Sequence, residues 1–366
     1  MNSQRVYIAD KIFTGEEWLA EHAIIADDGV IKDVILRKEL PSDLSVQHLG
    51  STIISPAFID LQIYGANGKL LSEYPEPRSL SDLNNYSRSG GSAFCLPTVA
   101  TNSYNVFKQA IDAIRDYWNQ GGEGILGIHL EGPWINPIKR GAHIESYIHS
   151  PSLLQVKDLL EYGREVIKMI TLAPEKCSNE VIDYICSKGI IISAGHSNAS
   201  YKEAKESFTR GVKAVTHLYN AMSPLQHREP GLAGAAMDDD TVMASIIPDG
   251  FHADYAAVRI AKAVMKDRLF VITDAVTQTT KGPYQHELAG DKYEAVGILS
   301  GSALTMHKAL LNLVNYCGIE MGEAIRMCSL YQAKLMSIDH EFGKIKKGYT
   351  AKLVAINQQE GVCFML

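Results

Sequence analysis

The sequence predicts an α/β protein: a closed (β/α)8 barrel of the TIM type, with a small β-sandwich domain built from the N- and C-terminal segments. Three observations predict it. Eight apolar runs of strand length recur through the middle of the chain. Most are followed by a stretch of helical period. Both ends carry short strand patterns with no long helical period. Strand and helix alternating eight times is the pattern of a closed parallel barrel. A doubly wound open sheet is the competing architecture, and the absence of GxGxxG after the first strand counts against it.

From the N-terminal end, Val6-Tyr7-Ile8, Ala23-Ile24-Ile25 and Val30–Ile35 read as strands, punctuated by turn signals such as Asp27-Asp28-Gly29. The eight runs of the middle are Ile53–Leu61, Ala93–Pro97, Ile125–Leu130, Lys168–Leu172, Ile190–Ala194, Ala214–His217, Val242–Ile247 and Leu269–Thr273. Between them, Tyr104–Trp118 places Val106, Ala110, Ile111, Ile114 and Tyr117 near i, i+3, i+4 spacing, and Ala256–Met265 reads the same way. Past Gly343–Gly348, Ala351–Asn357 returns to a strand pattern. The expected division is a small β domain of residues 1–52 and 342–366 and a barrel of residues 53–341. The length of 366 residues accommodates a barrel of ~250 residues plus a satellite.

Composition narrows the function. The formal charge is −7 and the Lys and Arg residues are spread along the chain, which argues against nucleic acid as a partner. A phosphorylated small molecule stays possible, since it needs only one or two local cations or a helix N-terminus. Six cysteines are scattered without a CxxC pair and read as reduced thiols. No stretch approaches ~20 apolar residues, and the start of the chain lacks an apolar signal core, so the expected location is cytoplasmic, with no membrane contact.

Ligand-type side chains gather at the ends of the apolar runs: His129 and Glu131, then His196, His217 and Asp274. In a barrel the strand C-termini converge on one face, where the active site sits. Two imidazoles and a carboxylate are a common ligand set for catalytic Zn2+, leaving a position for water. An aspartate on the last strand suits proton transfer from that water to a leaving nitrogen. Taken singly, each residue has an ordinary structural explanation, such as a satisfied histidine or a helix cap. Together, with Glu131, His196, His217 and Asp274 each ending a different strand, they favour a site. His22, His48, His286 and His340 have no such context and read as surface residues. Asn220, Ala221 and Arg228 could hold a phosphate; for Arg228 a salt bridge in a Gly/Pro-rich loop fits equally well.

At these residues the chain resembles the N-acetylglucosamine-6-phosphate deacetylase family of the amidohydrolase superfamily. The resemblance is carried by Ile128–Trp134 (IHLEGPW), Lys139–His143 (KRGAH), Leu172–Glu175, Ser193–Ser197, Thr216–Met222 (THLYNAM), Arg228–Gly231, Asp249–His252, Thr273–Ala275 and Leu299–Met306. The first and fifth of these strings are specific and the others supportive; together they run in family order from about residue 50 to 350. The resemblance implies metal ligation by Glu131, His196 and His217, with Asp274 as catalytic base and then acid. It implies that His143 helps polarise the acetamide carbonyl. Ala142, Asn220, Ala221, Arg228, His252, Leu299, Ser300, Gly301 and Ser302 fall where the family contacts substrate. Because the Arg228 position in relatives can serve the neighbouring subunit's phosphate, a homodimer is implied.

The sequence departs from the superfamily in one place. Many amidohydrolases carry HxH on the first barrel strand and bind a second metal there; this chain has Gln62 and Tyr64, both poor ligands. The expectation is one divalent metal per subunit, Zn2+ or Fe2+, with Co2+ and Mn2+ compatible. The implied reaction is hydrolysis of N-acetylglucosamine 6-phosphate to glucosamine 6-phosphate and acetate. Its rivals are the same chemistry on the galactosamine epimer, hydrolysis of a cyclic amide, and a catalytically dead barrel acting as a scaffold. The cyclic-amide enzymes usually carry HxH and a strand-end lysine, which the runs above lack.

Overall fold

The structure is a computed structural model describing residues 4–295 and 297–366. Its contacts divide the chain into two compact units, Met1–Ile59 with Ser87–Phe94 and Met306–Leu366, and Asp60–Tyr86 with Cys95–Thr305.

In the first unit both ends of the chain supply sheet. Arg5–Ile8 pairs with His22–Asp27 and Val46–His48, and Val30–Leu36 completes a four-stranded sheet. A five-stranded sheet runs in the order Val362–Met365, Leu353–Asn357, Ile53–Pro56, Lys11–Phe13, Trp18–Leu19. One buried cluster draws Tyr7, Ile24 and Ile31 from the first sheet and Ile12, Ile54 and Leu353 from the second, as in a sandwich.

Eight strands form a further sheet in chain order: β1 (Phe58–Ile63), β2 (Ser92–Ala100), β3 (Ile128–Glu131), β4 (Ile167–Leu172), β5 (Ile191–Ala194), β6 (Ala214–Val215), β7 (Met243–Ile246) and β8 (Leu269–Val271). From β2 to β8 each neighbouring pair is parallel. This is the eight-stranded α/β barrel that the sequence predicts, and each of its strands falls on one of the eight apolar runs. The first run is split, however. Ile53–Pro56 pairs with Leu353–Asn357, and only Phe58 onward enters the barrel sheet. The partner changes between consecutive residues: the Ala57 N–H donates to Lys352 O and the Phe58 N–H to Gly91 O. The helix Tyr104–Asn119 buries Phe107, Ala110, Ile111, Ala113, Ile114 and Tyr117, so Phe107, rather than Val106, faces the core. Among the described residues no helix is long and apolar enough to cross a membrane, and all six cysteines are free.

The barrel closes where β1 meets the segment after β8. The Asp274 N–H donates to Gln62 O and the Tyr64 N–H to Ala275 O, both at 2.9 Å. Asp60 clamps this seam from within. One carboxylate oxygen accepts the backbone N–H of Gln62 (3.3 Å) and Thr273 (3.2 Å), and the other accepts the Thr273 hydroxyl. Burial pushes the Asp60 carboxyl up to about 6. Asp60→Ala takes the carboxylate from the buried N–H groups of Gln62 and Thr273, while the Thr273 hydroxyl keeps Gln62 O at 3.3 Å, and is expected to cost about 3 kcal/mol. For a chain of this length that lowers Tm by about 4 °C. Differential scanning calorimetry checks it; an unchanged Tm would mean the seam holds without the carboxylate.

Candidate active site

Five strand ends deliver the ligand-type side chains. Gln62 and Tyr64 leave β1 two residues apart and therefore on one face. Glu131 is the last residue of β3, while His196, His217 and Asp274 lie just past β5, β6 and β8. Those three have left-handed backbones, with φ of 47°, 36° and 54°. A non-glycine residue there costs of order 1–3 kcal/mol and persists only where its surroundings over-determine it. Here they do: the His217 N–H donates to Ser245 Oγ (2.8 Å), the Asn136 N–H donates to His196 O (2.8 Å), and the Ser302 N–H donates to Asp274 O (2.9 Å). Glu175 braces the His196 turn by accepting from Asn136 Nδ2 (2.9 Å), Ser197 Oγ (2.7 Å) and the Asn198 N–H (2.7 Å).

The side chains converge. His196 Nδ1 donates to Lys139 O (2.9 Å), which leaves a lone pair on Nε2. His196 Nε2 lies 3.1 Å from His217 Nε2 and 3.2 Å from Glu131 Oε1, and His217 Nε2 is 3.2 Å from the same oxygen. His217 Nδ1 is buried with no hydrogen-bond partner. Acceptors crowded this closely, with one histidine's proton committed elsewhere, form the donor set of a borderline divalent cation. His143 also lies close enough for its ligand atom, with those of Glu131 and His196, to fall within 4.8 Å of one another. His143 Nδ1 faces the Thr101 N–H (3.3 Å), which can only donate, and the Thr101 hydroxyl (2.7 Å); with Nδ1 as their acceptor the ring proton sits on Nε2, 3.1 Å from Glu131 Oε2. In that tautomer His143 is a donor to the carboxylate.

The electrostatics agree. Burial alone would raise the Glu131 carboxyl, but the His143 and His196 rings outweigh it and hold Glu131 well below the usual range. Burial lowers His143 to about 4 and also lowers His217, so both rings are neutral near pH 7. Burial, then the Glu131 charge, pushes Asp274 well above an ordinary carboxylate. Two neighbouring carboxyl groups driven in opposite directions is the arrangement expected of a ligand and a proton carrier.

The site opens into a cavity of about 340 Å3, a volume typical of small-molecule clefts. Tyr64, Glu131, His143, His196, His217 and Asp274 form one part of its lining, and Ala142, Asn220, Ala221, His252, Leu299, Ser300 and Gly301 line it too. His252 is oriented by Asp249, whose Oδ2 lies 2.6 Å from Nδ1. Four of the residues singled out from sequence lie elsewhere. Gln62 sits behind the lining, its amide 2.6 Å from Asp274 Oδ1 and 3.0 Å from Glu131 Oε1. Ser302 is buried, with its hydroxyl on Thr273 O, and so anchors the Asp274 backbone. Arg228 is exposed and does not line this cavity. His129 is a satisfied buried histidine, bonded to Leu61 O (3.0 Å) and Thr171 Oγ1 (2.8 Å).

One expectation is corrected. His286 is 4% exposed and lines the cavity; it is not a surface residue. It lies beside Tyr284 in the segment leading into a three-stranded sheet, Glu287–Ala289, Lys292–Ala295 and Ile298–Ser302, that the sequence reading did not anticipate. Tyr284 is fixed by donating to Thr101 O (2.7 Å). The available signal was position alone: the segment follows the eighth strand, and loops after barrel strands form the active-site face.

Comparisons with known proteins agree with this geometry. The model of the amidohydrolase family matches residues 53–362, and that of the NagA composite domain matches residues 9–54. The chain is 34% identical to an N-acetylglucosamine-6-phosphate deacetylase of Haemophilus influenzae, over 93% of this chain and 92% of that one. It is 29% identical to an N-acetylgalactosamine-6-phosphate deacetylase of Escherichia coli O157:H7, over 95% and 94%. The crystal structure of N-acetylglucosamine-6-phosphate deacetylase from Pasteurella multocida superposes with a TM-score of 0.93 at 33% identity, covering 98% of this chain and 97% of that one. With its strand-tip cluster and a family match across most of its length, this chain belongs to the amidohydrolase family.

Proposed function

We propose that this chain hydrolyses the acetamide of N-acetyl-D-glucosamine 6-phosphate, releasing D-glucosamine 6-phosphate and acetate. The observation that carries the reading is the convergence of His196 Nε2, His217 Nε2 and Glu131 Oε1 at one end of a sugar-sized cavity that Asp274 also lines. The near full-length similarity to deacetylases of this substrate supports it.

Glu131, His196 and His217 would hold one divalent cation, Zn2+ or Fe2+. When bound, it supplies Lewis-acid activation of water and of the amide carbonyl. Asp274 takes the proton of the attacking water and returns it to the leaving nitrogen, a task suited to a carboxyl held above its ordinary range. The His143 Nε2–H, which rests on Glu131 Oε2 at 3.1 Å in the unliganded site, would turn from that oxygen to the carbonyl oxygen as charge develops there. Asn220, Ala221, Ala142, His252 and the Leu299–Gly301 stretch bound the sugar and its phosphate. Arg228, exposed and outside its own chain's cavity, suits a fork reaching a second subunit's phosphate in a homodimer. We assign the small β domain to residues 1–57 and 342–366 and the barrel to 58–341, which moves the expected boundary at 52/53 past the strand Ile53–Pro56, and place the enzyme in the cytoplasm with its phosphosugar.

The galactosamine epimer is the second reading, favoured by the similarity to a deacetylase of that sugar. Acetate release from both epimers, each with and without the 6-phosphate, tests the assignment. The expected order puts N-acetylglucosamine 6-phosphate first in kcat/KM, with both unphosphorylated sugars far behind. A galactosamine preference moves the assignment to that epimer. No acetate from any of the four overturns the reading.

A further inference from the structure

We propose that Tyr64 is a positioning residue: its hydroxyl pins one oxygen of Glu131, so that the carboxylate presents only the other to the ion. The proposal rests on the metal reading above.

The Tyr64 backbone is held on both sides. Its N–H donates to Ala275 O (2.9 Å) and its carbonyl accepts the Leu71 N–H (3.0 Å). The tight hairpin that follows fixes the approach, since a Cβ on Gly65 would lie 2.1 Å from Lys69 O. A phenol has a single proton. Tyr64 gives it to Glu131 Oε2, and its oxygen accepts from Gln62 Nε2 (2.8 Å). Asp274 Oδ1, at 3.3 Å, then receives nothing from the phenol and relies on the Gln62 amide at 2.6 Å.

The consequence falls on Glu131. Its Oε2 takes the Tyr64 hydroxyl and the His143 Nε2–H (3.1 Å). Its Oε1 faces the Nε2 atoms of His196 and His217; the Gln62 amide is 3.0 Å away, but its two hydrogens go to the nearer Tyr64 hydroxyl and Asp274 Oδ1. Two donors on one oxygen stop the carboxylate from rotating or engaging an ion through both atoms. Outer partners of this kind orient ligands and tune affinity, and their loss typically costs ~10–100-fold in metal binding. The hydroxyl also fills the gap between Glu131 and Asp274 with donors, from itself and Gln62, where a second cation would need acceptors.

Tyr64→Phe keeps the ring and removes the pin. Zn2+ affinity is measured on full-length wild type and variant by competition with a chromophoric chelator. Visible spectra of the Co2+-loaded proteins report the coordination. The wild type is expected to take up about one equivalent, and the variant to bind it ~10–100-fold more weakly. Its Co2+ bands should weaken, as they do when a carboxylate adds a second oxygen and coordination number rises. Unchanged thermal melting of the metal-free forms shows that folding is not the cause. Equal affinity and identical Co2+ spectra in the two proteins overturn the role of Tyr64 while leaving the metal site standing. Failure of the wild type to bind any Zn2+ overturns the metal reading itself.

Discussion

Asp274→Asn is expected to lower kcat by ~10²–10⁴-fold while the protein keeps its metal and its fold. Asparagine matches the volume of the carboxyl and retains the backbone bonds to Gln62 and Ser302 that hold the tip of the eighth strand. It removes only the capacity to take up and return a proton. Burial and the Glu131 charge prepare Asp274 for that exchange by raising its affinity for a proton. Steady-state kinetics beside metal analysis checks the prediction. A variant with wild-type kcat would remove Asp274 from the chemistry, and one that lost its metal would make it a ligand.

The second large effect is expected at Glu131. Glu131→Gln replaces a carboxylate that carries His196, His217, His143 and Tyr64 with a neutral amide. The loss in metal affinity should exceed the ~10–100-fold that an outer partner costs, because a charged ligand is removed outright. The buried neighbours also lose the charge that they are arranged around. Equilibrium dialysis against Zn2+ measures it. In the wild type, chelation should abolish activity, and about one equivalent should restore it. A requirement for a second equivalent would contradict the reading of Gln62 and Tyr64 as a filled, ion-free position.

Much of this architecture was legible because a strand buried on both faces reads as an unbroken apolar run. Such runs ending in His, Glu or Asp break their own pattern at the catalytic face. Glu131, His196, His217 and Asp274 stood out for that reason, and the structure brings the first three together at one end of a cavity that Asp274 also lines. The same property hid the split of Ile53–Leu61, since two consecutive buried strands in different sheets look like one. His286 was illegible because its burial comes from tertiary packing, and the strands after it have exposed Leu288 and Ile298, which leaves little apolar alternation to read. Tyr64 was legible only as an absent histidine. Its bond to Glu131 depends on a contact 67 residues away in sequence, which no local pattern carries.

Anomalous diffraction from crystals of the Zn2+-loaded protein addresses the central claim most directly. The account predicts a single ion bonded to Glu131 Oε1, His196 Nε2 and His217 Nε2 at about 2.0–2.2 Å, with Tyr64 and His143 on the other carboxylate oxygen. An ion held by His143 in place of His217, or a pair of ions reaching Gln62, would contradict it.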